Sequence, residues 1–433
     1  LFIRDPYYLM QLARGNPVFC RRHSDAASCA TPAGMDAFNA YVDSLLPMGY
    51  IYTQSMKNYS SEVRLQSNEG GILDWTVGGY WSKRASKLWS NGQLADSRGI
   101  LIEGAPYVYA RRVHDDLSQI AGFGEASLHL TDRLTLTGGV RYYDYKRTVA
   151  GDTEKGFDLI NFAIQPWTVR ETSEKGPLWK ANVSYQATPD ILFYAQAASG
   201  FRPGGANQVL GLPDAFTPYQ SDNLWTYEAG TKTTLFDGQI LFNLTGYLTD
   251  WKNMQVSGNS GTYAFLTNAG NARVKGIEAQ TVVAPIDGLQ FSGDLSLLSA
   301  KLTTDQVNGL VVAQGKAGDH IPEIPSLSFS LSGQYEWQVG ELTALLRADY
   351  SYAGRSHSEF RPNSPLYRQM GDYSLVGLRA GVGNERFGAY LFVTNLFDTL
   401  ARTRAGNMIG MPVEVVTTAP PRTIGLNLKF GIN

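Results

Sequence analysis

The stretch PSLSFSLSGQYEWQVGELTALLRADYSY (Pro325–Tyr352) decides the fold. Leu327, Phe329, Leu331, Gly333, Tyr335 and Trp337 alternate with Ser326, Ser328, Ser330, Ser332, Gln334 and Glu336. A period of two predicts a strand with one apolar and one wet face. Gln338-Val339-Gly340 supplies a turn. Leu342, Ala344, Leu346, Ala348, Tyr350 and Tyr352 then alternate with Thr343, Leu345, Arg347, Asp349 and Ser351. Both strands run to about twice the usual ~5–6 residues and end their apolar stripe in aromatics. A tilted strand crosses a bilayer in ~9–11 residues, with aromatic girdles at both interfaces. The hairpin is therefore read as transmembrane, part of an outer-membrane barrel rather than a soluble β-sandwich or β-helix.

Composition fits a wall that meets lipid. Charged residues are 18% of the 433, below the ~25% usual for soluble domains, and aromatics are 12%, with 24 Tyr. Forty-five glycines suit turns and a tapering wall. No apolar run approaches the ~18 residues of a membrane helix, which leaves a closed barrel as the way to span. A mean hydropathy of -0.20 agrees, because half of every strand is polar. The net charge of -2 gives no sign of nucleic-acid binding. The start, LFIRDPYYLMQL, has neither the basic beginning nor the apolar centre of a signal peptide.

Outward from the hairpin the rhythm repeats. Tight turns are expected at Asn68–Gly71, Thr131–Arg133, Thr188–Asp190, Phe236–Gly238, Pro285–Gly288, Gln338–Gly340 and Asn384–Glu385. Each joins two alternating segments and is followed by a long loop, including loops over 85–117 and from about 146 to 177. Short turns on one rim and long loops on the other are the pattern of an outer-membrane barrel. The expected fold is all-β: a partial antiparallel transmembrane barrel of fifteen strands, or sixteen if residues 1–10 end another. Residues 11–50 read as a long loop carrying one amphipathic helix. Thr31-Pro32 starts it, Met35, Phe38, Val42, Leu45 and Leu46 form one face, and Pro47 stops it.

No catalytic constellation appears: there is no GxSxG, HExxH or Walker loop. The reading is a non-enzyme without cofactor or metal. Cys20 and Cys29 are compatible with a disulfide, an unlinked thiol pair or half a metal site; export favours the disulfide. Arg141, Glu228, Lys232, Glu278 and Arg347 fall in the wet register and are expected to face a lumen, as are Asp294, Glu336 and Asp349. They suit either a water-filled pore or a surface gripping a plug.

Several longer stretches carry a resemblance. ASGFRPGGAN (Ala198–Asn207), Pro218-Tyr219 and LWTYEAGTKTTLFDGQILFNLTGYLTDWKNMQV (Leu224–Val256) resemble the barrel of TonB-dependent outer-membrane receptors. So do TNAGNARVKGIEAQ (Thr267–Gln280), FVTNLFDTLAR (Phe392–Arg402) and PPRTIGLNLKF (Pro420–Phe430). The resemblance implies a barrel of about 22 strands around an N-terminal plug. It implies a place in the outer membrane of a Gram-negative bacterium and a small-molecule or metal-chelate ligand such as a ferric siderophore. It also implies import powered by the inner-membrane TonB complex. Neither a plug-like segment nor the first six or so strands is found, so residues 1–433 are expected to be the C-terminal part of such a barrel. Outer loops and upper wall would contact the ligand, where Arg202, Asn207 and Tyr219 occur; alternatively Arg202 holds its loop. A passive sixteen-stranded porin is the competing reading, and an adhesive barrel a third. A porin needs 421–430 to pair with residues 1–67; the receptor reading expects those edges to stay unpaired.

Overall fold

A computed structural model describes residues 32–45, 47–68, 70–157, 163–209, 212–259, 264–309, 311, 314–364, 367–407 and 414–431. Its first element is helix α1 (Pro32–Leu45), in which Val42 is buried. The wall begins with β1 (Met48–Gln66), β2 (Leu73–Leu94), β3 (Tyr107–Thr131), β4 (Leu134–Lys155), β5 (Gln165–Thr188) and β6 (Ile191–Arg202). Two short loop strands follow, β7 (Gly205–Ala206) and β8 (Pro218–Tyr219), and then wall strands β9 (Asp222–Leu235) and β10 (Ile240–Lys252). A second loop hairpin, β11 (Gln255–Asn259) and β12 (Ala264–Asn268), precedes β13 (Ala272–Ile286), β14 (Leu289–Leu302), β15 (Leu327–Val339) and β16 (Leu342–Ala353). The loop pair β17 (Ser356–His357) and β18 (Gln369–Met370) leads to β19 (Tyr373–Gly383) and β20 (Phe387–Thr394). Loop strands β21 (Arg402–Asn407) and β22 (Glu414–Thr418) come before the last wall strand, β23 (Thr423–Phe430).

The fifteen wall strands form one antiparallel sheet in chain order, interrupted only by the four loop hairpins. All seven expected turns join neighbouring wall strands. At the β9–β10 turn Phe236, Asp237 and Gly238 all take positive φ. At the β13–β14 turn Gly288 has φ 78, and a Cβ there would lie 2.0 Å from the Glu336 carbonyl oxygen, so only glycine fits.

Two of the expected long loops are much shorter than the sequence suggested. β2 continues to Leu94 and β3 starts at Tyr107, replacing most of the loop over 85–117. β4 reaches Lys155 and β5 starts at Gln165, replacing the loop that was to end near 177. In SKRASKLWSNGQL (82–94) and KRTVAGDTEK (146–155) polar residues occupy both faces. Water on both sides removes the period-two signal, although the hydrogen-bonded ladder continues.

Below those extensions the sheet is two-faced. Ile120 (57%), Tyr142 (52%), Leu331 (54%) and Leu391 (58%) stand open on one face, with Trp75, Trp179, Phe193 and Leu346 in the same register. The chain exposes 24638 Å², against roughly 16,000 Å² expected of a compact protein of its mass. An apolar area this size is tolerable only against lipid or a partner surface. The other face is knitted by polar pairs: Ser127 with Thr137 (2.8 Å), Ser292 with Ser332 (2.7 Å) and Lys180 with Glu125 (2.8 Å). Among the described residues β1 pairs only with β2 and β23 only with β20, so the barrel is not closed. The ladder a sixteen-stranded porin requires is absent from those residues. The Cys20–Cys29 bridge and a strand at residues 1–10 lie outside the described residues.

The register carries a direct consequence. Leu244 is on the apolar face, whereas Thr245 lies opposite Glu278 and hydrogen-bonds the Tyr194 hydroxyl (2.9 Å). Leu244→Arg is expected to cost about 2–4 kcal/mol near the bilayer midplane. Thr245→Arg meets carboxylates and is expected to cost far less. Denaturant unfolding of both variants in lipid checks this, and equal costs would contradict the register.

Candidate functional site

Among the described residues the long-loop rim gathers most of the buried polar groups, and β5 and β6 diverge there. Their ladder stops at Lys180–Ala198, beyond which β5 pairs only with β4 and β6 only with β9. Residues 203–209 and 212–222 fill the gap. Phe201 stacks on Tyr143 with ring centroids 3.7 Å apart, and the Gly204 N–H donates to the Tyr145 hydroxyl (3.0 Å). Glu174 accepts hydrogen bonds from Tyr143 (3.2 Å), Tyr145 (3.4 Å) and Ser221.

The three residues expected to meet a ligand are built into this packing. Arg202 grips Asp222, whose side chain is 1% exposed, and donates to the Gln255 carbonyl (2.9 Å). Its guanidinium also lies 4.7 Å from the Trp251 ring centroid, and the Gln255 N–H donates to Asp222 (2.8 Å). Asn207 bridges two loop hairpins, donating to the Leu266 carbonyl (2.7 Å) and accepting from the Leu266 N–H (2.8 Å). Tyr219 is buried and accepts from Arg147 (2.8 Å), which also clamps Asp115 (2.9 and 2.7 Å). Arg84 reaches the same Asp115 at 3.4 Å. All three side chains thus have their polar groups engaged within the chain, the alternative already open for Arg202. A guanidinium whose fork is filled by a buried carboxylate has little left for an anion.

The five wet-register residues share the polar face, three of them in one group and two apart. Tyr194 donates to Glu228 (2.7 Å), with Lys232 6.0 Å above its ring and Glu278 nearby. Arg141 lies over Tyr80 at 4.7 Å and near Phe123 at 5.9 Å. Arg347 chelates Asp349 (2.6 Å) and reaches Gln334 (3.3 Å).

One cation at the long-loop end of this face stands without an ion pair. Arg111, near the start of β3, donates to the Gln208 carbonyl (2.5 Å), while its Nε and the Gln208 side-chain nitrogen have no partner. It pairs across the ladder with Ser90 and sits among Tyr50, Tyr52 and Tyr109. Burial pulls its pKa below the usual arginine range, and burial raises that of the Tyr109 hydroxyl. A half-buried guanidinium without a carboxylate is costly unless an anion meets it. Sequence reading missed Arg111 because VYARRVHDD was assigned to a loop, where parity carries no information. Once β3 is extended, the register alone places it beside Tyr50 and Tyr52.

A second polar cluster lies among the described residues of the loops that follow β14 and β16. The His320 and His357 rings lie 6.5 Å apart, and His357 is 5.4 Å from the Tyr367 ring. Burial lowers the pKa of His320, helped by Lys301 and His357. No cluster of three or more His, Cys, Asp or Glu suited to a metal occurs among the described residues.

The matches to known proteins agree with this architecture. The family model described as TonB dependent receptor-like, beta-barrel, covers residues 22–396. The metal-pseudopaline receptor CntO of Pseudomonas aeruginosa is 25% identical over 333 residues, 75% of this chain and 42% of that protein. The pesticin receptor of Yersinia pestis is 25% identical over 315 residues, 72% of this chain and 43% of that protein. The chain thus spans under half the length of these relatives. The crystal structure of the ferric yersiniabactin uptake receptor FyuA from Yersinia pestis superposes with a TM-score of 0.71 at 20% identity. That match covers 88% of this chain and 55% of FyuA. The ferric citrate transporter FecA gives a TM-score of 0.64 at 17% identity, over 88% of this chain and 55% of FecA.

The second cluster holds a half-buried acid, Glu359. Burial, with Glu323 beside it, pushes the Glu359 carboxyl up to about 7. A folded pKa above the unfolded one stabilises the loop below the ordinary glutamate range, and the contribution is lost as pH rises through about 7. Hydrogen exchange in residues 354–370, corrected for its intrinsic pH dependence, should therefore accelerate between about pH 5 and pH 8. Glu359→Gln should abolish that change; its persistence would refute the assignment.

Proposed function

Since the chain belongs to the TonB-dependent receptor-like β-barrel family, whose place is the outer membrane, we propose that it takes up an anionic metal chelate from the outer face. Energy would come from the inner-membrane TonB complex. In this reading residues 1–433 are the C-terminal part of the receptor barrel and the polar face lines its lumen. Arg141, Glu228, Lys232, Glu278 and Arg347 would face that interior, gripping a plug rather than lining an open pore. Names among its relatives point to the ligand class: metal-pseudopaline, pesticin and catecholate siderophore receptors, the last from Escherichia coli.

The observation that carries the ligand side is Arg111. It is a cation without an ion pair, at the long-loop rim of the polar face, with a buried Nε that lacks a partner and three tyrosines close by. Arginine matches a carboxylate or a deprotonated chelating group with its planar fork, and tyrosines supply flat amphipathic contact. The chemistry fits an anionic chelate bearing rings or carboxylates. Arg202, Asn207 and Tyr219 would then hold the loops that shape the site rather than touch the ligand.

Uptake of radiolabelled ferric chelates, including catecholate and yersiniabactin complexes, tests both parts. Uptake should saturate and should require TonB. Arg111→Gln should weaken half-saturation by about tenfold to a hundredfold, the worth of one hydrogen bond to a charged group. Uptake that is linear in concentration and indifferent to TonB, with small solutes leaking from liposomes, would establish a porin instead. Unchanged half-saturation in the Arg111 variant would remove that residue from the site and leave the transport reading standing.

A further inference from the structure

We propose that the apolar face of β1 and β2 carries, directly above its aromatic girdle, a docking site for a phosphorylated lipid of the outer leaflet, built from Lys57, Lys83 and Lys87. This rests on the place of the wall in the outer membrane and is independent of which ligand is imported.

Register builds the site. On β2 the residues on the apolar face run Leu73, Trp75, Val77, Gly79, Trp81, Lys83, Ala85 and Lys87 away from the short turn. On β1 the same face runs Leu65, Val63, Ser61, Tyr59 and Lys57. Trp81 lies opposite Ser61, and Tyr59 lies opposite Lys83. An apolar band about 25 Å tall takes roughly ten residues of a strand tilted by about 45°. Counted from Leu73, that places Trp81 at the upper interface and Lys83 just beyond it, where headgroups begin. Aromatic rings belong at that depth, and lysines reach from it toward anionic groups.

Lys57 lies opposite Ala85, between Lys83 and Lys87 on the neighbouring strand. Directly paired strand residues have Cβ atoms about 5 Å apart, and diagonal neighbours about 7–8 Å. The three ammonium groups can therefore converge on one phosphate-bearing headgroup. All three are exposed, and none has an ion pair. On the other flank Lys83 lies opposite Ser118, Ala85 opposite Asp116, and Lys87 opposite His114, whose ring packs edge-on against Trp167. Asp116 is thus the carboxylate nearest in register, and it forms no ion pair with the lysines. Higher on this face Arg112 holds Asp152 (2.5 Å) and Glu154 (2.8 Å), and Lys146 holds Glu171 (2.9 Å), whereas Lys175, Lys252, Lys275 and Lys301 stand singly rather than in a group. The triad is a local excess of positive charge at headgroup depth, complementary to phosphate in charge and position.

The test uses the protein extracted from outer membranes in mild detergent. Bisphosphorylated lipid A that co-purifies is quantified by mass spectrometry, for the wild type, for Lys57→Gln/Lys83→Gln/Lys87→Gln, and for Lys146→Gln. Binding to phosphatidylcholine nanodiscs with and without lipid A is measured in parallel, with inorganic phosphate as competitor. Near an anionic lipid surface each lysine is worth about fivefold, so the triple variant should lose on the order of a hundredfold in lipid A affinity. Lys146→Gln should lose almost nothing, and heat-modifiable gel mobility should show all variants folded. Retention of lipid A by the triple variant would overturn the proposal, as would an equal loss in Lys146→Gln. So would full displacement by inorganic phosphate at matched concentration, which would mark a site for free anion rather than for lipid.

Discussion

Inside hydrocarbon every backbone N–H and C=O must find a partner within the protein, and the rest of this structure follows from that requirement. It makes the wall strands long, makes the turns between them tight on one rim, and keeps one ladder continuous through fifteen strands. It also forces a period of two on composition, because each strand must satisfy lipid on one side and water on the other. The requirement falls hardest on the outer edges of β1 and β23, which have no partner among the described residues. In a bilayer such edges need partners.

Beyond the bilayer the constraint relaxes, and side chains take over the work of order. Residues 203–209 and 212–222 share with β12 only a small apolar cluster, Leu212 and Phe265 with Val311. They are fixed by charge-assisted and amide hydrogen bonds: Arg202 with Asp222, Asn207 with Leu266, Tyr219 with Arg147. Such a network positions loops firmly because each buried polar group would be costly if freed. Arg111 differs from Arg202 and Arg147 in that no carboxylate meets its charge, only the Gln208 carbonyl. That contrast, rather than residue type, separates a group that shapes the rim from a group offered to a ligand.

Much of the fold was legible in the sequence, for a physical reason. The strand pattern in Leu327–Trp337 and the turn residues at Phe236–Gly238 report local constraints that act on each residue separately. The extensions of β2 to β5 were hidden because water on both faces leaves no alternation to read. The resemblance of ASGFRPGGAN drew attention to Arg202 and Asn207, yet their partners Asp222 and Leu266 are set by loop packing that spacing does not encode. Arg111 was hidden for the same reason in reverse: what marks it is the absence of an acid among its spatial neighbours. A pattern can show that a residue is charged; only contacts show whether that charge is spent.

The central claim is that the wall has one face in hydrocarbon and one in water, and spin-label scanning along β15 measures it most directly. Single nitroxides placed from Ser328 to Trp337, in the protein reconstituted in bilayers, report collision with oxygen dissolved in lipid and with a water-soluble nickel chelate. The account predicts oxygen maxima at Leu331, Tyr335 and Trp337 and minima at Ser330, Ser332 and Gln334, an alternation of period two. A uniform profile, or maxima at the serines, would contradict it.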